Sequence, residues 1–254
     1  EVAVSIRAGD DGDRPGREIV AIEADRPMLP ASNMKVVSSG AALHVLGPDF
    51  RFETRLRRTP GGYVLIGDGD PSLGDPVFFD RLKYRDAEGE RRRLDEEAIV
   101  GFWADAIARA GDEGPIDILV DDSIFEARRW NDGTDGRDGW NPDDRLNRFS
   151  AEVGGLNFHR NTLHFRPRTS GGGAPDWHDV RPRIDGLVDA ARNESKVSSD
   201  KQTAWIYRRP GTNDLVFKGL VRKQRSNRPV VPLEVTVHDP AMMLARLLAD
   251  RTRD

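Results

Sequence analysis

The chain has 254 residues, a formal charge of −4 and no cysteine, and at this length it can bury a core without covalent staples. The missing thiols exclude disulfides, thiolate metal sites and cysteine nucleophiles; the missing basic excess argues against general binding to a phosphate backbone, so nucleic acid is not an expected partner. No apolar run reaches the roughly 20 residues of a membrane-spanning helix, and no leader of charged, apolar and small residues opens the chain, which reads as soluble with any export signal already removed.

"EVAVSIRA" and "REIVAIEA" carry apolar residues at every second position around the turn "GDDGDRPG", which predicts a β-hairpin. The period then changes. Met34, Val37, Ala41, His44 and Val45 recur at helical spacing until Gly47 and Pro48 stop them, so a helix opens near Ser32. Extended pieces return in "RFETRLRR" and "GGYVLIGDGD". "LDEEAIVGFWADAIARAG" predicts a helix with Asp95 as N-cap, Gly111 as stop, and one apolar face made of Ala98, Ile99, Phe102, Trp103, Ala106, Ile107 and Ala110. "PIDILVDDSIF" reads as a buried strand. After the linker "RRWNDGTDGRDGWNPDD" the segments "NTLHFRPR", "QTAWIYRR", "DLVFKGLVR" and "PLEVTVHD" alternate as strands. The chain closes on a helix capped by Asp239, with Pro240 at its first position and a stripe of Met243, Leu244, Leu247 and Leu248. The fold class expected is α+β.

Ser32 and Lys35 stand three residues apart at the mouth of the first helix, on one face, where the amine can reach the hydroxyl. A serine hydroxyl attacks only if a base takes its proton, and lysine is a base only when burial or nearby cations lower its pKa. The apolar flanks Met34, Val36 and Val37 are placed to supply that burial, and the helix N-terminus favours negative charge on Ser32. The competing reading is a surface pair consisting of a cap and a solvated lysine.

The stretch "PASNMKVVSSGAALHVLGPDFRFETRL" resembles the active-site serine helix, and the strand after it, of the penicillin-binding D-alanyl-D-alanine carboxypeptidases of peptidase family S13. The segments "VLIGDGDPSL", "ILVDDSIFE", "AEVGGLNFHRNTLHFRP", "IYRRPGTNDLVFKGLV" and "VTVHDPAMMLARLL" continue the resemblance in the family's order over nearly the whole chain. The resemblance implies a partial serine transpeptidase (β-lactamase-like) domain with a large β-rich insertion. Residues 1 to about 60 would be its N-terminal part, 61–238 the inserted region and 239–254 an exit helix. It implies Ser32 as nucleophile, Lys35 as its base, peptidoglycan stem peptide as substrate, β-lactams as inhibitors, no cofactor, and a periplasmic or extracellular location. It also implies that Asp121, Asp122 and Phe125 grip the amino-bearing end of the stem peptide, against the plainer reading of a strand end with solvated carboxylates.

Such enzymes carry two further motifs, Ser-x-Asn and Lys-Thr-Gly. Neither is present: no serine has asparagine two residues later, and no lysine is followed by Ser/Thr-Gly. "SSDK" at 198–201 and "RTSG" at 168–171 are turn segments. The expectation is a truncated enzyme, inactive as it stands, whose unfinished sheet promotes self-association; the alternative is a non-catalytic homologue that binds cell-wall peptide or a protein partner. "GDGDP" at 67–71 reads as a tight turn, since it lacks the later glutamate of a calcium loop. The five histidines show no metal spacing, and His159 and His164, read as strand residues, fall on opposite faces. Trp130, Trp140 and Trp177 read as plugs beneath loops, with sugar stacking as the alternative.

Overall fold

The computed structural model describes residues 3–9, 16–112, 114–130, 141–169, 173–224 and 232–253. By packing the chain divides into two units, residues 1–51 and 52–254, each taken by itself below. Among the described residues no helix is long and apolar enough to cross a membrane.

In the first unit β1 (Val4–Arg7) pairs antiparallel with β2 (Glu18–Ile22), as the alternation predicts; most of the turn between them lies outside the described residues. A single 3-10 turn, Ala31–Asn33, leads into α1 (Met34–Leu46), which ends where Gly47 takes a φ of 80° ahead of Pro48. Neither β2 nor α1 buries a residue. Met34, Val36, Val37, Leu43 and Val45 are all more than half exposed. The unit has regular elements and no buried apolar side chain among its described residues.

The second unit holds every buried apolar side chain among the described residues, from Tyr63 onward. Strand β3 (Arg55–Thr59) runs antiparallel to β4 (Gly62–Ile66), and both strands belong to this second unit. The short helix α2 (Pro76–Phe79) and a two-stranded hairpin, β5 (Lys83–Arg85) with β6 (Arg91–Arg93), precede α3 (Glu96–Ala110). α3 is the crossover that lets β7 (Asp117–Asp121) pair parallel to β4. Asp95 caps α3 by accepting from the Ala98 N–H at 3.0 Å, and Gly111 ends it in the left-handed region. Its inward face differs from the one expected. Glu96, Ile99, Val100 and Ile107 are buried, whereas Phe102, Ala106 and Ala110 are exposed, because Phe102 packs edge-on against Tyr84 of the β5–β6 hairpin instead of entering the core. β7 is likewise half-buried, with Ile118 and Val120 inward and Leu119 outward, since its sheet is covered on one face only.

In the second half β8 (Thr162–Phe165) lies between β9 (Val180–Arg181) and β15 (Leu233–Thr236). β13 (Leu215–Lys218) lies between β10 (Arg192–Asn193) and β12 (Trp205–Arg208), and β11 (Lys196–Ser198) runs parallel to β14 (Leu220–Arg222). Trp177 stacks on Phe217 at 4.5 Å with Phe165 edge-on to both, and its indole N–H reaches Ser195 Oγ at 3.1 Å; it is a core residue and has no face left for a sugar. Trp130 donates to Ser150 O under the Arg145 guanidinium, and Trp140 lies outside the described residues. Helix α4 (Pro240–Arg251), capped by Asp239, buries Met243, Leu244, Leu247 and Leu248 and packs on β7 and α3.

His159 and His164 do not sit on opposite faces of a strand. His159, Arg160 and Asn161 take φ of 50°, 59° and 54°, a reversal that lays the His159 ring against His164 at 4.5 Å. Asn161 holds the reversal: its Oδ1 accepts from the Phe158 N–H, and its amide donates to Glu152 O and Asn157 Oδ1.

Candidate active site

Pro30 fixes the approach to the 3-10 turn and Ala31 takes a left-handed φ of 45°, which turns the chain so that Ser32 opens the helix. One turn of spacing then does what the sequence predicts: Lys35 Nζ donates to Ser32 Oγ at 3.1 Å. Both side chains are exposed, and Met34, Val36 and Val37 at their flanks are 51, 75 and 65 % exposed. These three residues therefore do not desolvate the amine, contrary to expectation. They point outward because none of the described residues of their unit covers α1. The geometry of a nucleophile beside a base is present; the dry surroundings that would leave the lysine amine neutral are not supplied by the described part of residues 1–51.

In the second unit, Asp121, Asp122 and Phe125 gather beyond the carboxyl ends of the parallel strands β4 and β7, the side on which open α/β sheets bind ligands. The loop around Gly154 and Gly155 closes over these ends: Gly67 N–H donates to Asp121 O at 3.0 Å and Gly69 N–H to Gly155 O at 2.8 Å. The three residues have different surroundings. Asp121 Oδ1 accepts from the hydroxyl and the backbone N–H of Ser123 at 2.6 and 3.1 Å, which hold its carboxyl below the usual aspartate range. Asp122 is paired with Arg129 at 2.6 Å, each about a fifth exposed. Phe125 is half exposed and lies over Gly69, where a Cβ would come within 2.6 Å of its ring. So the structure brings the three side chains to one strand end, leaves the Asp121 carboxylate without a cation among the described residues, and spends Asp122 on Arg129.

The sequence reading missed Arg129 and the Gly154–Gly155 pair. A Cβ on Gly154 would meet Arg129 Nη1 at 2.6 Å, and one on Gly155 would meet the Asp122 backbone at 2.8 Å. Adjacent glycines before "LNFHRN" were the available signal, since a glycine pair outside a turn marks close backbone approach. In the neighbouring "GDGDP" loop Asp70 Oδ1 accepts from the N–H and hydroxyl of Ser72, an aspartate turn. Among the described residues no three His, Cys, Asp or Glu are grouped as metal ligands.

A carboxypeptidase of Mycobacterium tuberculosis is 30 % identical over 133 residues, covering 51 % of this chain and 25 % of that protein. A D-alanyl-D-alanine carboxypeptidase of Actinomadura sp. is 25 % identical over 250 residues, 92 % of this chain but 41 % of that protein. The chain thus spans less than half the length of the curated relatives it matches. The fold is similar to the crystal structure of penicillin binding protein 4 from Haemophilus influenzae, with a TM-score of 0.58 at 18 % identity over 93 % of this chain and 48 % of that one. A family profile aligns with residues 13–254, and on that match the chain belongs to the D-Ala-D-Ala carboxypeptidase 3 (S13) family.

Proposed function

We propose that these residues are part of a serine D-Ala-D-Ala carboxypeptidase or endopeptidase that acts on peptidoglycan stem peptides in the cell envelope through an acyl-enzyme. The observation that carries the proposal is the 3.1 Å contact between Lys35 Nζ and Ser32 Oγ at the mouth of a helix, in a chain of this family. Ser32 Oγ bonds to the carbonyl carbon of the penultimate D-alanine while its proton passes to the neutral Lys35 amine. The C–N bond then breaks, the terminal D-alanine leaves as an amine with that proton, and water hydrolyses the ester. Backbone N–H groups, that of Ser32 among them, stabilise the oxyanion. A β-lactam is opened by the same attack and leaves the serine acylated.

In this reading residues 1–51 contribute the serine helix of the transpeptidase domain, and the second unit is mostly the inserted region. Asp121 is the carboxylate that receives the amino-bearing end of the stem peptide, because it has no cationic partner among the described residues; Asp122 holds its loop through Arg129. A polypeptide of these 254 residues alone lacks Ser-x-Asn, Lys-Thr-Gly and a dry Lys35, and it is expected to release no measurable D-alanine. Joined to a segment carrying both motifs, it is expected to release D-alanine from a stem pentapeptide, as read by a coupled D-amino-acid oxidase assay. The reading fails if the joined, folded protein releases none, or if the Ser32→Ala variant releases as much.

A further inference from the structure

The β5–β6 hairpin violates the ordinary rule for cross-strand pairs. Its register places Lys83 opposite Arg93 and Arg85 opposite Arg91, four exposed cations on one face, while Tyr84 and Arg92 occupy the other. Like charges directly opposite destabilise a strand pair, and a two-stranded hairpin has little stability to spare. Carboxylates compensate only in part. Arg93 pairs with Asp80 at 2.6 Å and Arg92 with Asp86 at 2.7 Å, and Glu88 and Glu90 sit exposed at the turn. Lys83, Arg85 and Arg91 have no ion-pair partner among the described residues, and Arg85 reaches only the Gly89 carbonyl.

Beside these cations lies apolar surface. α2 exposes Val77 at 59 % and Phe78 at 57 %, and Leu82 follows at 40 %. The two parts are joined at the hairpin base, where Leu82 N–H donates to Phe79 O and Leu94 N–H to Leu82 O. Below them the segment is anchored by Phe79, which packs against the core, and by Asp75, which caps α2 and pairs with Arg160 at 2.9 Å. A rigid base carrying exposed cations next to exposed aromatic and aliphatic groups is the pattern of interfacial membrane binding.

We propose that Pro76–Arg93 is a docking element for an anionic phospholipid surface, its cations on lipid phosphates and Val77, Phe78 and Leu82 at the headgroup boundary. The apolar trio selects a bilayer over a soluble phosphate polymer, which offers those residues nothing to enter. The inference stands on this segment alone and does not depend on the acyl-enzyme reading.

The test is co-sedimentation of the 254-residue chain with vesicles of one part phosphatidylglycerol to two parts phosphatidylcholine, against vesicles of phosphatidylcholine alone and a tube without lipid. Binding is expected to the anionic vesicles, weakened by high salt. The double variant R85Q/R91Q is expected to lose about 30-fold in affinity, at roughly fivefold for each surface cation removed. F78S is expected to weaken binding while leaving its salt dependence in place. All three side chains are exposed; the salt titration of the unaltered chain is in any case independent of how the variants fold. Equal binding to both vesicle types, no binding to either, undiminished binding by R85Q/R91Q, or sedimentation with insoluble peptidoglycan in place of vesicles would each overturn the proposal.

Discussion

The difference between Asp121 and Asp122 is set by their neighbours, not by their chemistry. Asp121 meets two donors on Ser123 and no cation among the described residues, whereas Asp122 meets Arg129 at 2.6 Å beneath Gly154. Asp121→Asn is therefore expected to leave the urea midpoint of unfolding unchanged, because its carboxylate stabilises little beyond one turn. Asp122→Asn leaves the largely buried Arg129 without its anion and is expected to cost about 1.5–3 kcal/mol, the range of a hydrogen bond to a charged group. The reverse order of stabilities would show that Asp122 is the solvated residue. At Gly67 a Cβ would come within 2.2 Å of Gly155 O. Gly67→Ala must then push two backbones apart and is expected to destabilise by about 1–3 kcal/mol. Legibility at this scale was uneven. Ser32 and Lys35 were readable because three residues along a helix fix a direction, but the solvation of Lys35 depends on what covers α1, which no local pattern encodes. Arg129 was unreadable because only the folding of the Gly154 loop brings it to Asp122.

At the scale of elements, spacing located α1, α3, α4 and most strands but not the four-residue α2, and caps fixed the ends: Asp95, Gly111 and Asp239 act where their chemistry requires. The inward face of α3 was not legible, since Phe102 and Val100 are both apolar and the choice between them is made by the β5–β6 hairpin, a remote element. His159 and Asn161 read as strand residues but belong to a reversal, because three successive left-handed residues, His159–Asn161, cannot be inferred from alternation. That reversal creates a buried histidine pair. His164 is pushed down to about 3 by burial, with the neighbouring His159 contributing, and burial also lowers His159. Both stay neutral in the folded state over a range where the unfolded chain, titrating near 6.5, takes up protons. The unfolded state therefore binds more protons between about pH 6.5 and pH 3, and stability falls as pH is lowered through that window. Urea unfolding at pH 7 and pH 5 is expected to show a loss on the order of 1 kcal/mol that the His164→Asn variant reduces. An identical pH dependence in that variant would remove the histidine pair as its source.

For the whole molecule, all the buried apolar side chains among the described residues lie in residues 52–254, while the first unit leaves β2 and α1 exposed. Apolar surface of this kind is an association hazard, so the 254-residue chain is expected to show a light-scattering mass that rises with concentration. A constant mass equal to the 28.3 kDa monomer would contradict this. Alternation and helical spacing sufficed for an α+β chain with a β-rich second half. They could not show that no described residue of its unit buries the serine helix, because the pattern on α1 records the need for a covering layer and not its presence.

The central claim is that Ser32 Oγ takes the acyl group and Lys35 takes its proton. Its most direct measurement is mass spectrometry of peptides from a protein that joins these residues to both missing motifs, after exposure to benzylpenicillin. The account predicts one penicilloyl adduct, on the peptide containing Ser32, with its rate of formation lowered by about 100-fold or more in Lys35→Ala, the scale of a lost general base. An adduct on any other residue, or a Lys35→Ala variant that acylates at the unaltered rate, would contradict it.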